Sequence, residues 1–383
     1  MKSLNTAYAP FPEVKGNFGF GCMRLPLLQD ESVDEAEFCR MVDAFLDAGF
    51  NYFDTAHGYL EGKSETAIRE CLSKRHKREE FILTDKLTNG YFKTNEDIRP
   101  FFESQLQACG VEYFDFYLMH SQHRSIYSKY KECRAYEEAF KLKAEGKIRH
   151  VGISFHDDAE TLDMILNDYP EIEVVQIQYN YADYENPAVQ SRAVLEVCRK
   201  HGVPAIVMEP VKGGSLAKLP EAADNLVREL GCGSAASLAI RYAAGAEGVF
   251  MTLSGMGNME MMLDNIGYMR DFKPLSEKEE ETVLKIRKIL EDKDLIACTG
   301  CRYCVEGCPA GILIPDVISY FNSKKMYPED WNPRFYYSLK TKNGGKASSC
   351  IGCGACEDIC PQHLPIRDVL KDITEVFEKR EED

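Results

Sequence analysis

The chain has 383 residues, 44% of them hydrophobic, which is enough to bury a full core and excludes intrinsic disorder. Its 46 basic and 62 acidic residues sum to −16 at pH 7, which argues against nucleic acid or an anionic membrane surface as the main partner. No apolar run approaches the ~18 residues of a membrane span, and Met1–Lys15 carries no apolar signal core, so a cytoplasmic protein is expected.

From the N-terminus, short apolar runs alternate with helical patterns. The runs Phe18–Arg24, Tyr52–Ala56, Phe81–Leu87, Phe114–His120, His150–Phe155, Val174–Tyr179, Ala205–Glu209 and Gly248–Leu253 read as strands. Helices are predicted over Glu35–Ala48, Ser64–Lys74, Asn95–Cys109, Tyr136–Ala144, Asp158–Asn167, Pro187–His201, Ser234–Ala244 and Met259–Met269. Ser32 with Glu35 makes a candidate capping box for the first of them. Strand–helix units demand parallel pairing and right-handed crossovers. Eight of them over roughly 255 residues match a closed (β/α)8 TIM barrel, usually ~250 residues. An open doubly wound sheet is the alternative, but Gly19-Phe20-Gly21 lacks the third glycine of its phosphate turn. The division expected is a barrel over 1–272, a connecting helix within 273–295, and a second domain over 296–383.

That second domain holds eight of the fifteen cysteines. They read Cys298-x2-Cys301-x2-Cys304-x3-Cys308-Pro309 and Cys350-x2-Cys353-x2-Cys356-x3-Cys360-Pro361, the bacterial ferredoxin spacing stated twice. A zinc site spreads two cysteine pairs around a longer loop, and disulfides do not suit the expected compartment. Two [4Fe–4S] clusters are therefore expected. By analogy with ferredoxins, one takes Cys298, Cys301, Cys304 and Cys360, and the other Cys350, Cys353, Cys356 and Cys308. The 41 residues between Cys308 and Cys350 imply inserted helical elements, so the domain reads as ferredoxin-like and mostly helical. The other seven cysteines, from Cys22 to Cys232, read as small buried hydrophobes.

Asp54, Lys86 and His120 lie at barrel strand ends, and Tyr59 follows the second strand, on the rim where barrel active sites are built. Their chemistry fits one task. A carbonyl accepting hydride develops alkoxide charge and needs a proton donor. Tyr59 is that donor, Lys86 the cation that makes it useful, Asp54 the anchor of Lys86, and His120 the orienter of the carbonyl oxygen.

Phe53-Asp54-Thr55-Ala56-His57-Gly58-Tyr59 with Ser64-Glu65, then Lys86, then Leu118-Met119-His120, resembles the aldo-keto reductase signature with its Asp–Tyr–Lys–His tetrad. Gly146–Arg149 leading into Val151–Ser154, Gln176–Asn180, and Ser254-Gly255 through Asn265 are also similar to that family. With the cysteine-rich tail, the chain resembles the ferredoxin-fused branch. The resemblance implies a nicotinamide cofactor across the strand ends: Ser154 and Gln176 at its carboxamide, Met208 where an aromatic usually stacks, Pro210, Val211, Gly213, Gly214 and Ser215 along the pyrophosphate, and Asp264 with Asn265 at the adenine. Met261 aligns where an arginine commonly meets the 2′-phosphate of NADPH, so NADPH and NADH both stay open, and a flavin is an alternative.

The function expected is hydride and proton transfer at a small-molecule carbonyl or alcohol. The clusters would relay electrons to or from a carrier or substrate, such as a ferredoxin or flavoprotein partner. The alternative is an electron-transfer subunit whose barrel is a scaffold, or an enzyme whose clusters are only structural.

Overall fold

Each of the eight apolar runs forms a parallel strand in the computed structural model, which describes residues 10–186, 189–231, 233–292, 294–326, 332–342 and 344–379. The strands are β1 (Phe18–Gly21), β2 (Tyr52–Asp54), β3 (Ile82–Leu87), β4 (Phe114–Gln122), β5 (Ile148–Phe155), β6 (Val174–Gln178), β7 (Ala205–Met208) and β8 (Val249–Ser254). They pair in sequence order and close through β1 on β8, with Phe18 opposite Thr252. This is the (β/α)8 barrel.

Period-two alternation decides which side chains face inward. Tyr52 joins Ile82, Phe116, Leu118, Val174 and Ile206 in the barrel core, and Phe11 closes one end against Phe116 and Phe250. Phe53, one residue on, faces outward and packs on Phe45 of helix α1 (Glu35–Asp47). Asp54 then returns to the inside, which is how an apolar strand delivers a carboxylate to the rim. Gly152 is required by packing: a Cβ there would lie 2.4 Å from Val174 Cγ1.

The predicted helices are present, with corrections at their ends. Asp34 caps α1, its side chain accepting from Glu37 N, whereas Ser32 Oγ donates to Asp30 instead. Helix α2 (Lys63–Ile68) runs into a π turn over Arg69–Ser73. Next come α3 (Asn95–Cys109), α4 (Arg124–Glu132), α5 (Ala135–Ala144), α6 (Ala159–Asp168), α7 (Ser191–His201), α8 (Glu221–Leu230), α9 (Ala235–Ala244) and α10 (Met259–Met269). Helices α4 and α8 are additional to the predicted set. Residues 187–188 of the predicted Pro187–His201 helix lie outside the described residues.

The chain divides into two compact units, Met1–Pro210 with Ala236–Ser276, and Val211–Ala235 with Glu277–Asp383. The second unit therefore includes α8 as well as α11 (Glu277–Glu291). Its other helices are α12 (Tyr303–Glu306), α13 (Ile314–Met326), α14 (Asn332–Lys340), α15 (Ala355–Asp358) and α16 (Ile366–Phe377). Ile314, Val317, Ile318, Tyr337, Leu370 and Ile373 form its core. Helices α13 and α14 are the elements inserted between the two cysteine clusters. Among the described residues no helix is long and apolar enough to cross a membrane.

Candidate active site and cluster cavities

Lys86 is the organising residue of the rim. Its side chain is fully buried, and Nζ donates to Asp54 Oδ1 at 2.6 Å, to the Thr55 carbonyl at 2.7 Å and to Tyr59 OH at 3.2 Å. Gln176 Nε2 donates to the other Asp54 oxygen at 2.9 Å, so both carboxylate oxygens are engaged. A buried cation is tolerable only when its charge and protons are all met. Asp54, Thr55 and Tyr59 meet them here.

Tyr59 and His120 meet edge to face, with ring centroids 6.1 Å apart, and His120 Nδ1 is hydrogen-bonded to Thr88 Oγ1 at 2.8 Å. Burial pushes the Tyr59 hydroxyl well above its ordinary range, and the charges of Asp54 and then Glu209 push the same way. Burial pushes His120 well below the usual histidine range, helped by the charge of Lys86. The two groups are thus driven apart: a tyrosine that keeps its proton and an imidazole held neutral.

The structure unites Asp54, Tyr59, Lys86 and Gln176 in one hydrogen-bonded set, with His120 beside it. The remaining predicted cofactor residues are spread wider. Ser154, opposite Gln176 in the β5–β6 register, accepts from Ser121 N at 2.7 Å, which leaves its own hydroxyl proton to donate. Met208 ends β7 half-buried. Pro210 falls in the first unit, while Val211, Gly213, Gly214 and Ser215 fall in the second, in a turn closed by Ser215 N donating to the Lys212 carbonyl. Asn265 is tied to Ser254 Oγ and to the Met261 carbonyl, next to Asp264 on α10. Met261 is 46% exposed and offers a phosphate no charge.

Sequence reasoning missed several contributors. Thr88 holds the His120 ring, and Arg24 lies 3.7 Å from Glu209 near Tyr59. Behind β3, Asp85 Oδ1 accepts from Lys86 N and from Gln105 Nε2, and Gln105 also reaches Glu65. Glu65, Asp85 and Cys109 are all buried there, and burial with the Glu65 charge pushes the Asp85 carboxyl well up. Polar residues directly after strands 3 and 7 were the available signal for Thr88 and Glu209; nothing local in the sequence marks the Glu65–Asp85 pair.

In the second unit, two cavities collect the cysteines crosswise. One is lined by Cys298, Cys301, Cys304 and Cys360. The other is lined by Cys308, Cys350, Cys353 and Cys356. The remaining lining is largely apolar, including Ile314, Ile318 and Ile366 in the first and Ile312, Ile314 and Leu370 in the second. Burial and the neighbouring cysteines raise the Cys304 thiol to about 12, and burial, then Glu357, raise Cys356 to about 11. Four thiols converging in an apolar pocket suit an iron–sulfur core, whose cationic irons would bind them as thiolates and offset part of their charge.

A closed (β/α)8 barrel thus carries a buried lysine–aspartate–tyrosine set on its rim, and a cysteine-lined helical unit accompanies it. Residues 17–288 match the aldo/keto reductase family and residues 297–364 the 4Fe-4S dicluster domain. The chain belongs to the aldo/keto reductase family and carries a 4Fe-4S dicluster domain after its barrel. It is 28% identical over 195 residues to an NADH-specific methylglyoxal reductase of Escherichia coli, covering 46% of this chain and 57% of that protein. An uncharacterised oxidoreductase of Schizosaccharomyces pombe is 25% identical over 267 residues, 66% of this chain and 81% of the relative. The chain thus spans little more than half the length of the first of these relatives. An aldo-keto reductase from Bacillus halodurans, solved in its holo form, superposes with a TM-score of 0.56 at 26% identity, covering 70% of this chain and 91% of that one.

Proposed function

We propose that the barrel catalyses reduction of a small-molecule carbonyl, or oxidation of the matching alcohol, with Tyr59 as the proton donor and acceptor. The observation that carries this reading is Lys86 Nζ held between Asp54 and Tyr59 OH inside the barrel rim. A nicotinamide dinucleotide, when bound, supplies or takes the hydride. Ser154, Gln176 and Met208 are the residues that would meet its nicotinamide end.

Tyr59 gives its hydroxyl proton to the oxygen of the reacting carbonyl as alkoxide charge develops there. Lys86 donates to the phenol oxygen and so lowers the cost of the tyrosinate left behind. Asp54 fixes Lys86 in that pose, and Gln176 fixes Asp54. His120, neutral and braced by Thr88, orients the carbonyl oxygen without competing as an acid.

The Cys298, Cys301, Cys304 and Cys360 set and the Cys308, Cys350, Cys353 and Cys356 set would each hold one [4Fe–4S] cluster, giving the protein one-electron exchange with a redox partner protein. Cys353 is exposed and Ile351 beside it is 70% exposed, so the second site opens to solvent where such a partner has to approach.

The test is Tyr59→Phe in protein purified anaerobically. Carbonyl turnover with NADH or NADPH should fall by 10²-fold or more, the order of a lost general acid, with iron content unchanged. NADH should serve at least as well as NADPH, because Met261 offers no cation to a 2′-phosphate. Full activity in Tyr59→Phe removes the assignment.

A further inference from the structure

The two cysteine runs are a repeat, and the repeat differs at one telling position. After the fourth cysteine and its proline, the first run has Ala310 and the second has Gln362. The crossing of the ligands exchanges their destinations: Gln362 lines the cavity of Cys298, Cys301, Cys304 and Cys360, and Ala310 lines that of Cys308, Cys350, Cys353 and Cys356. One cavity therefore has a side-chain amide where its counterpart has a methyl group.

Gln362 is 2% exposed, and neither Nε2 nor Oε1 has a hydrogen-bond partner among the described residues. A buried amide left unmet is costly, so its presence asks for an acceptor inside the cavity. Thr299, Tyr303, Ile314, Pro315, Ile318 and Leu364 stand around the four thiols, and the Gln362 amide bonds to none of them. An iron–sulfur cubane is a body of acceptors, its sulfides and thiolates carrying more negative charge after each electron added. A donor fixed beside it stabilises the reduced form more than the oxidised one.

We propose that the Gln362 side-chain amide donates a hydrogen bond to a sulfur of the cluster held by Cys298, Cys301, Cys304 and Cys360, and holds that cluster's reduction potential above the value set by its cysteines alone. The proposal rests on the reading of both cavities as cluster sites. No bond breaks in the tuned step: one electron enters the cluster from the reductant, and the amide keeps its proton. Gln362 is a positioning residue, acting through the cluster, and Ala310 leaves the second site without the same donor. The outcome is two clusters of one ligand type with different affinities for an electron.

The experiment is a potentiometric titration followed by electron paramagnetic resonance on the full chain, purified anaerobically with iron and sulfide quantified. In Gln362→Met, iron and sulfide stay at wild-type levels while one cluster titrates at a more negative potential and the other is unmoved. A tenfold change in the reduction equilibrium reads as 59 mV for one electron. Ala310→Gln should move the other cluster upward. Unchanged potentials in Gln362→Met with iron intact overturn the proposal. Should Gln362→Met fail to hold iron, wild-type protein labelled with 15N at the glutamine side-chain amide decides the matter. A hyperfine coupling of that nitrogen to a reduced cluster supports the hydrogen bond, and its absence overturns it. Wild-type protein without iron and sulfide would instead defeat the cluster reading itself.

Discussion

Lys86→Met is the most informative single change to the barrel, because it separates a buried ion pair from ordinary core packing. Methionine keeps most of the side-chain length and removes the charge. Asp54, 3% exposed, would then retain only the Gln176 amide, and the Thr55 carbonyl would lose its donor. Breaking a buried pair by deleting one partner costs about 3–5 kcal/mol, chiefly because the surviving charge is uncompensated. At roughly 2–4 °C per kcal/mol for a domain of this size, the barrel's Tm should fall by at least about 6 °C. Asp54→Asn should cost a similar amount by stranding the Lys86 cation. The double variant removes both charges while asparagine still offers Gln176 an acceptor, so it should recover to within about 1–2 kcal/mol of wild type. Thermal melts of the four proteins by circular dichroism, run anaerobically, close the cycle. Turnover should be lost in all three variants, since neutral residues pack but do not hold a tyrosinate. If the two single costs simply add, or if Lys86→Met melts with the wild type, the pair is not the buried charge couple described here.

The Asp85 carboxyl is pushed up by burial and by Glu65, so the folded state favours its neutral form. The stability it contributes is complete below the ordinary carboxylate pKa of about 3.9 and is lost as pH rises through the raised value. Asp85→Asn should therefore flatten the fall in Tm as pH rises above the ordinary carboxylate range, and an unchanged slope would show the group ionises freely. Gly213 sits at φ +64, and a Cβ on it would lie 2.2 Å from the Thr299 carbonyl oxygen, in the loop between the proposed ligands Cys298 and Cys301. Gly213→Ala should lower the second unit's Tm and its retained iron, because backbone rather than a flexible side chain must give way; wild-type iron and Tm in that variant would refute the contact.

Much of this molecule was legible because its strongest signals are local. Strand alternation carries Tyr52 and Asp54 inward past an outward Phe53, so the rim tetrad could be read from the polar residues ending apolar runs. The two cysteine runs were legible from their spacing, repeated without deviation, and their crossing came from the analogy with two-cluster ferredoxins. What escaped depends on tertiary neighbours or on competing short-range bonds. Ser32 looked like the cap of α1, but Asp30 captures its hydroxyl and Asp34 stands one residue before the helix. Helix α4 was hidden in Arg124–Glu132, where polar residues predominate and Tyr127 and Tyr130 supply the buried side. The burial of Glu65 beside Asp85 depends on Gln105, from α3, which reaches both and is itself held by Tyr117 of β4.

The division of labour at the rim follows from the opposite signs of two perturbations. Burial acts on both Tyr59 and His120, and in each it penalises the charged form. For tyrosine the charged form is the base, so burial and Asp54 keep the proton on oxygen. For histidine the charged form is the acid, so burial and Lys86 strip the proton away. One environment thus yields a full proton donor and a neutral imidazole side by side, the separation that assigns acid and orienter in paired catalytic groups. A protonated His120 would face the Lys86 cation as a like charge, which makes it the wrong donor for this site. In the proposed reaction Lys86 acts in the transition state, when the phenol oxygen gains charge and the cation is already at 3.2 Å. The energy for that stabilisation is stored in the folded state by Asp54 and Gln176, which is why the same pair that makes the barrel vulnerable to Lys86→Met also makes Tyr59 usable as an acid.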